Sequence, residues 1–436
     1  MKPVKVGVLG LGTVGGGTVN VLKRNAEEIA RRAGREIVIT HASAKELNKE
    51  RICDTTGIQL TTNPLDIINN PDIDIVLELI GGAGLAKDLV LQAIENGKHV
   101  VTANKYLIAL HGNEIFAKAS EKGVIVAFEA AVAGGIPIIK AIREGLSGNR
   151  IEWLAGIING TSNFILTEMR DKGREFADVL AEAQALGYAE ADPTFDIESI
   201  DAGHKLTILA SIAFGIPLQF DKVYTEGITQ ITRSDVEYAE QLGFRIKQLG
   251  IARKTVHGIE LRVHPTLIPK RRLIANVDGV MNAVLVQGDA VGASLYYGRG
   301  AGAEPTGSAV VADVIDVVRA LTTDPENRVP HLAFQADALA DIPVLSSNEF
   351  TTAYYLRLHA EDKSGVLADV TRILADHNIS IEAITQKLPA KGENIVPIIM
   401  LTQITQEKQM NDAIEKIEAL MTVSSKVCRI RLETLG

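Results

Sequence analysis

The stretch that decides the fold is VKVGVLGLGTVG, residues 4–15. A compact apolar run over residues 4–9 stops at a Gly-x-Gly-x-x-Gly pattern and passes directly into a helical sequence. Between a first strand and a first helix, this pattern is typical of dinucleotide-binding folds, since the helix start offers N–H groups to a pyrophosphate. The alternative is a plain glycine turn. The residues that we expect to line a dinucleotide site are Gly10, Gly12, Thr13, Val14 and Gly15.

The next hundred or so residues repeat the strand-then-helix pattern. Apolar runs that predict strands cover residues 36–41, 73–79, 99–102 and 124–128. This alternation predicts an α/β fold, with a Rossmann-like, doubly wound parallel sheet over residues 1–130. Because such sheets bind ligands at the carboxyl ends of their strands, Lys105, just past a predicted strand end, lies in the expected crevice.

Lys45 bears on the choice of cofactor. The second predicted strand ends in Ala42-Ser43-Ala44-Lys45-Glu46, where an NAD enzyme usually places an acidic residue against the ribose 2′-hydroxyl. A small residue and Lys45 come first here, which favours NADP, with Lys45 near the 2′-phosphate. An exposed loop lysine that contacts no ligand is the other interpretation.

Length, charge and cysteine content narrow the class of protein. A chain of 436 residues is too long for one core and should divide into domains. The net charge of −9 argues against a nucleic-acid partner. The two cysteines lack a metal-binding spacing, and we find neither a signal peptide nor an apolar run long enough to span a bilayer. We expect a cytoplasmic protein without a membrane partner.

The stretch EADPTFDIESIDAGHK, residues 190–205, carries the densest group of ionisable side chains. Asp201 and Lys205 are four residues apart, and the apolar sequence LTILASIAFG follows them. The pair should therefore share one face at the start of a buried helix. On charge alone, a solvated acidic loop with a surface ion pair is the competing interpretation.

Three turns in the middle of the chain are candidates for ligand contacts. Glu129 is followed by AAVAGGIPII, whose carbonyl groups suit a monovalent cation or simply form an interdomain turn. NGTSN at residues 159–163 either caps a helix or presents N–H groups to a substrate carboxylate. GRGAG at residues 298–302 is a hinge or a second point of close backbone approach.

The rest of the chain predicts two further domains. Residues 131–321 are expected to form an α+β catalytic and oligomerisation domain, with short strands and turns over residues 222–295 and a terminal helix that we expect to pack back on the first domain. Residues 322–350 contain three prolines and are a predicted linker. Residues 351–436 read strand, helix, strand, strand, helix, strand, which predicts a small ferredoxin-like sandwich.

Together these motifs resemble homoserine dehydrogenases, over nearly the whole chain and in the order of that family. The motifs are GLGTVG (10–15), TANK (102–105), EAAVAG (129–134), NGT (159–161), GYAEADP (187–193), DAGHK (201–205) and GRGAG (298–302). The terminal unit, with LRLHAEDKSGVLADV at residues 356–370, resembles an ACT regulatory domain. The resemblance is to the monofunctional form, with no aspartokinase-like part.

The resemblance implies a reaction and a set of site residues. The reaction is the reversible, NAD(P)H-dependent reduction of L-aspartate 4-semialdehyde to L-homoserine, on the route to threonine, isoleucine and methionine. The implied acid/base residue is Lys205, with Lys105 between cofactor and substrate. The implied substrate-binding residues are Glu190, Asp201, Asp196, Gly160, Thr161 and Tyr188. Further implied cofactor contacts are Thr102, Lys105, Gly187, Glu190 and Gly302, and the implied sodium ligands are Glu129 and the carbonyls of Val132, Gly134 and Ile136.

The chemistry of homoserine fits these residues. Glu190 and Asp201 suit its ammonium, and the helix start at Gly160-Thr161, or Lys105, suits its carboxylate. Lys205 is then expected to exchange a proton with the hydroxyl group of homoserine. Since oxidation needs the neutral amine and Asp201 favours the charged one, we expect an alkaline optimum for oxidation and Asp201 largely occupied by the substrate ammonium.

The terminal unit is expected to bind threonine near residues 362–365 and Asn378, between the paired domains of a homodimer or homotetramer. A dimerisation module that binds nothing is the alternative. We expect a chain ending near Leu345 to stay active and lose inhibition. A catalytically inactive amino-acid or redox sensor, and a different NADP-linked semialdehyde or sugar dehydrogenase, are the competing functions.

Overall fold

The computed structural model describes residues 2–82, 84–386 and 394–436. Its strands are β1 (Val4–Leu9), β2 (Ile37–Ser43), β3 (Gln59–Thr61), β4 (Ile75–Glu78), β5 (His99–Thr102), β6 (Val126–Ala127), β7 (Ile151–Ile157), β8 (Tyr224–Thr225), β9 (Phe244–Lys254), β10 (Ile259–Pro269), β11 (Met281–Gly288), β12 (Gly292–Arg299), β13 (Thr351–Glu361), β14 (Ile381–Gln386), β15 (Ile395–Thr402), β16 (Thr405–Gln406) and β17 (Cys428–Leu432).

The helices alternate with these strands over the first half of the chain. They are α1 (Thr13–Arg24), α2 (Ala26–Ala33), α3 (Leu65–Ile68), α4 (Gly84–Glu95), α5 (Lys105–Lys122), α6 (Ile138–Lys140), α7 (Gly160–Lys172), α8 (Phe176–Ala185), α9 (Thr194–Ile197), α10 (Ile200–Phe214), α11 (Arg233–Gln241), α12 (Ala303–Ala320), α13 (Val366–Asp376) and α14 (Glu407–Glu418). Across the described residues, none of the helices is long and apolar enough to cross a membrane.

The chain folds into two compact units, each assembled from three segments. Unit 1 contains Met1–Ile158, Asp201–Asp221 and Val280–Ile342. Unit 2 contains Asn159–Ile200, Lys222–Gly279 and Pro343–Gly436.

Unit 1 is built on the predicted parallel sheet, in the order β3-β2-β1-β4-β5-β6. The order runs outward on both sides from β1 and β4, so the carboxyl ends of these two strands meet at the topological switch point. The α/β fold class with a Rossmann-like first domain is confirmed. Strand β3, a short and partly exposed segment, was missing from the prediction because it carries little apolar signal.

Helix α12 belongs to the core of this sheet although it lies 290 residues after α1 in sequence. Its buried valines pack with those of β1 and α1 in one cluster. The two helices touch through glycine: a Cβ on Gly17 would lie 2.1 Å from the carbonyl oxygen of Ala303, and one on Gly307 would lie 2.8 Å from the backbone of Gly17. Close packing of these backbones therefore requires both glycines. Unit 1 also contains the antiparallel strands β7, β11 and β12.

Within unit 2, residues 222–279 depart from the short strands and turns predicted over residues 222–295. In their place the structure has helix α11 and two antiparallel strands of 11 residues each, β9 and β10. All of β10 is buried, including the charged side chains of Glu260 and Arg262. Charges inside a strand break the apolar run that marks a buried strand in sequence, and this explains the error.

The terminal residues form the predicted ferredoxin-like sandwich. Its sheet has the order β17-β13-β15-β14, all antiparallel, with α13 and α14 packed over an apolar core. The last strand, β17, also pairs in parallel with β10. The sheet of the terminal domain therefore continues into β10 and β9 within unit 2.

Candidate active site

The turn between β1 and α1 is shaped to receive a dinucleotide. Gly10 has a φ of +98°, and a Cβ on Gly15 would lie 2.0 Å from the carbonyl oxygen of Gly10, so both positions require glycine. Gly12 precedes the helix and has no side chain to cap it, and among the described residues other than its chain neighbours none lies within 4 Å of where its Cβ would be. The first turn of α1, which begins at Thr13 and Val14, follows this loop directly. The residues present fit a pyrophosphate at this helix start.

Lys45 lies at the same edge of the sheet. Ser43 ends β2, pairs with Leu9 at the end of β1, and its carbonyl oxygen accepts the N–H of Gly10 at 3.0 Å. Lys45 follows two residues later and is exposed. Its ammonium is therefore free to face a group bound at the carboxyl ends of these strands.

A cluster of charged side chains in unit 1 joins Lys105, Asp201 and Lys205. One carboxylate oxygen of Asp201 lies 3.2 Å from the Lys105 Nζ, and the other lies 2.7 Å from the Lys205 Nζ. The Lys205 ammonium also donates to the carbonyl oxygen of Ile158 at 2.8 Å. The Asp201 side chain is 7% exposed and that of Lys205 13%, whereas that of Lys105 is 40% exposed. One buried carboxylate thus holds two ammonium groups from different helices.

This arrangement bears on the predicted role of Asp201. From the sequence we expect its carboxylate to face the substrate ammonium, yet both of its oxygens contact lysines. A substrate ammonium would have to share these oxygens with the lysines or displace one of them. The role of Asp201 in substrate binding stays a prediction.

A set of buried side chains fixes the backbone in front of Lys105. Glu78, at the end of β4, accepts the Thr102 hydroxyl at 2.7 Å and the N–H groups of Ile80 and Gly81. Asn104 accepts the N–H of Leu107 at 3.0 Å, which caps α5, and donates to the carbonyl oxygen of Gly82 at 2.6 Å. These bonds fix the orientation of the first turn of α5 and therefore the position of Lys105, which begins that helix.

Glu78 and Asn104 are residues that the sequence reasoning missed. For Asn104 a signal was present, since Asn directly before a helix is a preferred cap. Glu78 is the last residue of a buried strand, and its partners come from the turn after that strand and from Thr102 at the end of β5, so no local pattern marks it.

His204 is buried among aromatic rings beside the two lysines. Its ring lies against those of Phe220, with centroids 4.2 Å apart, and Tyr106, at 5.0 Å. Burial lowers the pKa of His204 to about 4. The imidazole is therefore neutral at physiological pH and adds no charge beside the two lysines.

In unit 2 the predicted contacts gather at the start of α7. The Asn159 side chain accepts the N–H of Ser162 at 2.8 Å, which caps the helix, and its amide donates to a carboxylate oxygen of Asp196 at 2.7 Å. The Thr161 hydroxyl donates to the carbonyl oxygen of Tyr188 at 2.7 Å. Asp196 is thus bonded to the residue that precedes Gly160.

The segment from Gly187 to Glu190 runs beside this helix start. Gly187 has a φ of +74°, which favours glycine, and Tyr188 is 44% exposed with its ring edge-on to that of Phe164, centroids 5.1 Å apart. Glu190 is exposed, and its carbonyl oxygen accepts from Gln184 at 3.1 Å. Its carboxylate lies at the surface of unit 2.

The loop predicted to hold a cation is buried in unit 1. Both oxygens of the Glu129 carboxylate accept backbone N–H groups, from Ile139 at 2.9 Å and Lys140 at 2.8 Å. The carbonyl oxygen of Ile136 accepts the N–H of Ile138 at 2.7 Å. Two of the four predicted ligands therefore already bind intramolecular donors, and a cation would contact their remaining lone pairs.

The same loop is folded tightly against the turn before α12. Ala133 and Gly134 both have positive φ, at 55° and 49°, and a Cβ on Gly134 would lie 2.5 Å from the carbonyl oxygen of Gly300. The N–H of Glu129 donates to the Asp313 carboxylate at 2.8 Å. Burial, with the charge of Glu129, raises the pKa of Asp313 to about 8. The GRGAG turn, which ends at Gly302 with a φ of +128°, is thus a point of close backbone approach.

Three family models match this chain. They are the NAD binding domain of homoserine dehydrogenase over residues 10–129, homoserine dehydrogenase over residues 137–315, and the ACT domain over residues 354–420. The fold and these matches define a class, an NAD(P)-dependent oxidoreductase that acts on a CH–OH group and carries a terminal ACT domain.

Individual relatives extend the similarity over the full length. The chain is 68% identical over 436 residues to the homoserine dehydrogenase of Pseudomonas aeruginosa and 57% identical to that of Neisseria gonorrhoeae, with all of both chains covered in each case. A crystal structure of a homoserine dehydrogenase from Thiobacillus denitrificans superposes with a TM-score of 0.95 at 68% identity, covering 100% of this chain and 99% of that one. The Staphylococcus aureus enzyme at pH 7.5 gives a TM-score of 0.76 at 31% identity, with 99% of each chain covered. The chain belongs to the homoserine dehydrogenase family.

Proposed function

We propose that the protein catalyses the reversible reduction of L-aspartate 4-semialdehyde to L-homoserine with NADPH. The observation that carries this proposal is the Asp201 carboxylate, which holds Lys105 and Lys205 within the unit that contains the dinucleotide loop. Family membership supplies the class of substrate. The product would enter the synthesis of threonine, isoleucine and methionine.

Lys205 is proposed as the acid. An ammonium has three donors, and within the described residues the Lys205 ammonium donates to Asp201 and to the carbonyl oxygen of Ile158. Its third N–H is then available to the aldehyde oxygen, which it protonates as negative charge develops there. The bound nicotinamide supplies or accepts the hydride. In the oxidative direction Lys205 takes the hydroxyl proton as the neutral amine, so oxidation should be fastest at alkaline pH.

The charged groups of the substrate set the remaining roles. Glu190 and Asp201 are proposed as partners of the ammonium. The start of α7, at Gly160 and Thr161, is proposed for the carboxylate, supported by the Asn159 cap and by Asp196. Tyr188, whose carbonyl oxygen holds Thr161, is proposed to line the same place.

The cofactor contacts are proposed for the loop at residues 10–15, Thr102, Lys105, Gly187, Glu190 and Gly302. NADP is favoured because Lys45 is exposed at the edge where β1 and β2 end. Replacement of Lys45 by Glu should lower kcat/KM with NADPH much more than with NADH. Equal losses with both cofactors would remove Lys45 from the 2′-phosphate site.

Sodium is proposed at the loop formed by Glu129, Val132, Gly134 and Ile136. Its support is a buried turn in which Ala133 and Gly134 take left-handed conformations that turn successive carbonyl groups. Activity measured in sodium chloride and in choline chloride at equal ionic strength tests it. The same rate in both salts would reject a sodium requirement.

The ACT domain is proposed to bind threonine near residues 362–365 and Asn378, in a homodimer or homotetramer. Its support is the matched domain and the ferredoxin-like sheet. We also propose the domain boundaries that the sequence predicts, at residues 1–130, 131–321, 322–350 and 351–436. Initial rates with and without threonine, together with the mass in solution, test it, and a rate unchanged by saturating threonine would leave only an assembly role.

One assay decides the main proposal. Purified protein is mixed with NADPH and L-aspartate 4-semialdehyde, and the loss of NADPH absorbance is followed, with Lys205→Ala as the matched control. Turnover by the native protein that the variant lacks supports the proposal. No turnover with this substrate would favour a catalytically inactive amino-acid or redox sensor. Turnover with a sugar in place of aspartate semialdehyde would favour a different NADP-linked dehydrogenase.

A further inference from the structure

We propose that the segment of residues 224–229 positions the turn at Asp196, so that Ser199, Glu226 and Gly227 are positioning residues for substrate binding. The inference rests on the proposed function, because it takes Asp196 and the start of α7 as part of the substrate site. All of the residues concerned belong to unit 2.

Ser199 shows that the turn is held under constraint. It is fully buried and has a φ of +68°, a conformation that costs free energy for a residue other than glycine. Its hydroxyl donates to the carbonyl oxygen of Glu226 at 2.7 Å and accepts from the amide of Gln248 at 2.8 Å. Such a backbone conformation persists only where the surroundings fix it, and these two bonds are the fixing contacts.

The backbone of residues 224–229 also contacts the turn that contains Asp196. The N–H of Ile228 donates to the carbonyl oxygen of Ile197 at 2.9 Å. A Cβ on Gly227 would lie 2.8 Å from that oxygen and 2.4 Å from a carboxylate oxygen of Glu198. A methyl group at residue 227 therefore cannot fit unless the turn moves.

Movement of the turn would reach the proposed carboxylate site directly. The carbonyl oxygen of Asp196 accepts the Ser162 hydroxyl at 3.0 Å, and its carboxylate accepts the Asn159 amide at 2.7 Å. Asn159 also caps α7 through the N–H of Ser162. Displacement of Asp196 would thus reorient the cap that aims the N–H groups of the first helical turn.

The other side of the segment is held by the terminal domain. The Glu226 carboxylate accepts from the Arg431 guanidinium at 2.8 Å and from the Tyr224 hydroxyl at 2.6 Å. Arg431 is fully buried on β17, and Glu407 at the start of α14 also binds its guanidinium. An unbroken series of contacts therefore joins the last strand of the ACT domain to the Asp196 turn.

Two substitutions test the inference with matched controls. Ser199→Ala removes the hydroxyl, and Gly227→Ala adds the methyl group that the turn cannot accommodate. Thr352→Val removes a comparable buried hydroxyl, bonded to the carbonyl oxygen of Leu432 at 2.7 Å. Gly148→Ala adds a methyl group that, apart from the chain neighbours, meets none of the described residues within 4 Å. Since displacement of a binding group by about 1 Å can cost a factor of about 100, we expect KM for aspartate semialdehyde to rise about tenfold or more in both test variants. KM for NADPH should stay unchanged, and both controls should behave as the native protein.

A further pair of variants separates positioning from stability. Ser199→Gly relieves the backbone and should melt at a higher temperature than Ser199→Ala while keeping the raised KM. Glu226→Gln should raise the same KM by a smaller factor, because it removes only the charge on the contact with Arg431. A native KM in Ser199→Ala and Ser199→Gly, with only the melting temperature changed, would overturn the inference. Absence of turnover in the native protein would instead reject the proposed function.

Discussion

Substitution of Asp201 by Asn tests the arrangement of the two lysines. The carboxylate gives one oxygen to the Lys105 Nζ at 3.2 Å and the other to the Lys205 Nζ at 2.7 Å. An Asn side chain of the same size keeps one oxygen and turns an NH2 group toward the other ammonium. It removes the negative charge from both contacts and replaces one acceptor by a donor.

The expected loss follows from these two contacts. A hydrogen bond to a charged group contributes about 1.5–3 kcal/mol, so two of them contribute about 3–6 kcal/mol. Each 1.4 kcal/mol is about a factor of ten in rate, which gives a fall in kcat of about 10²–10⁴. The Ile158 carbonyl still holds Lys205, so we expect the lower end of this range.

Steady-state oxidation of NADPH at varied aspartate semialdehyde separates two roles for Asp201. Loss of lysine positioning lowers kcat with little change in KM, whereas loss of an ammonium partner raises the substrate KM. Asp192→Asn is the matched control, because Asp192 is exposed and its carboxylate binds only the neighbouring Thr194 among the contacts in the described residues. An unchanged kcat with a raised KM would refute the positioning role and favour the role expected from the sequence.

Three further outcomes are expected. Lys205→Ala should abolish turnover, whereas Lys105→Ala should only reduce it; full turnover in the first variant and none in the second would reverse the two roles. Gly17→Ala places a Cβ 2.1 Å from the Ala303 carbonyl oxygen, so α1 and α12 must separate, and both the melting temperature and the affinity for NADPH by fluorescence titration should fall. Burial lowers the pKa of His331 to about 4, against an ordinary 6.5. Because protonation is disfavoured in the folded state, the stability from this group is complete above pH 6.5 and is lost as the pH falls toward 4, so melting temperatures should decline over that interval, and less steeply in His331→Asn.

The parts of the fold that could be predicted are those with local signals. The glycines of residues 10–15 are required by a turn only a few residues long, and the order of elements in the terminal domain follows from alternating apolar periods. The contact between Asp201 and Lys205 could also be predicted from a local signal, since residues four apart share a helix face. The contact of Asp201 with Lys105, 96 positions earlier, had no such signal and was not predicted.

The parts that could not be predicted depend on contacts between distant residues. Ser199 takes a left-handed conformation, yet its neighbours in sequence give no turn signal, because the bonds that stabilise it come from residues 226 and 248. Lys247 is buried in β9 because Asp278 and the carbonyl oxygen of Val277 accept its ammonium. A charged residue is recognisable as part of a core strand only when its partner is known.

Buried contacts of the terminal domain change the expected result of truncation near Leu345. From the sequence, the terminal unit is separable, and its loss should leave activity intact. In the structure, Arg262 of β10 is fully buried and binds the carboxylate of Glu433 at 2.5 Å, one residue beyond β17. Glu260, at 3.1 Å, remains a partner of Arg262 after truncation, so the cost is below the about 3–5 kcal/mol of an uncompensated buried charge, yet it still weakens a domain that is stable by only about 5–15 kcal/mol.

Truncation would also remove Arg431 from Glu226 and expose the edge of β10 that pairs with β17. Loss of activity in the shortened chain would therefore reflect a damaged core as much as a lost regulatory site. A substitution that keeps the strand, such as Glu226→Gln, tests the contact with Arg431 without damage to the core, because Arg431 remains neutralised by Glu407. The terminal domain is thus better regarded as part of the structure of unit 2 than as an appended module, and its regulatory role has to be tested in the full-length chain.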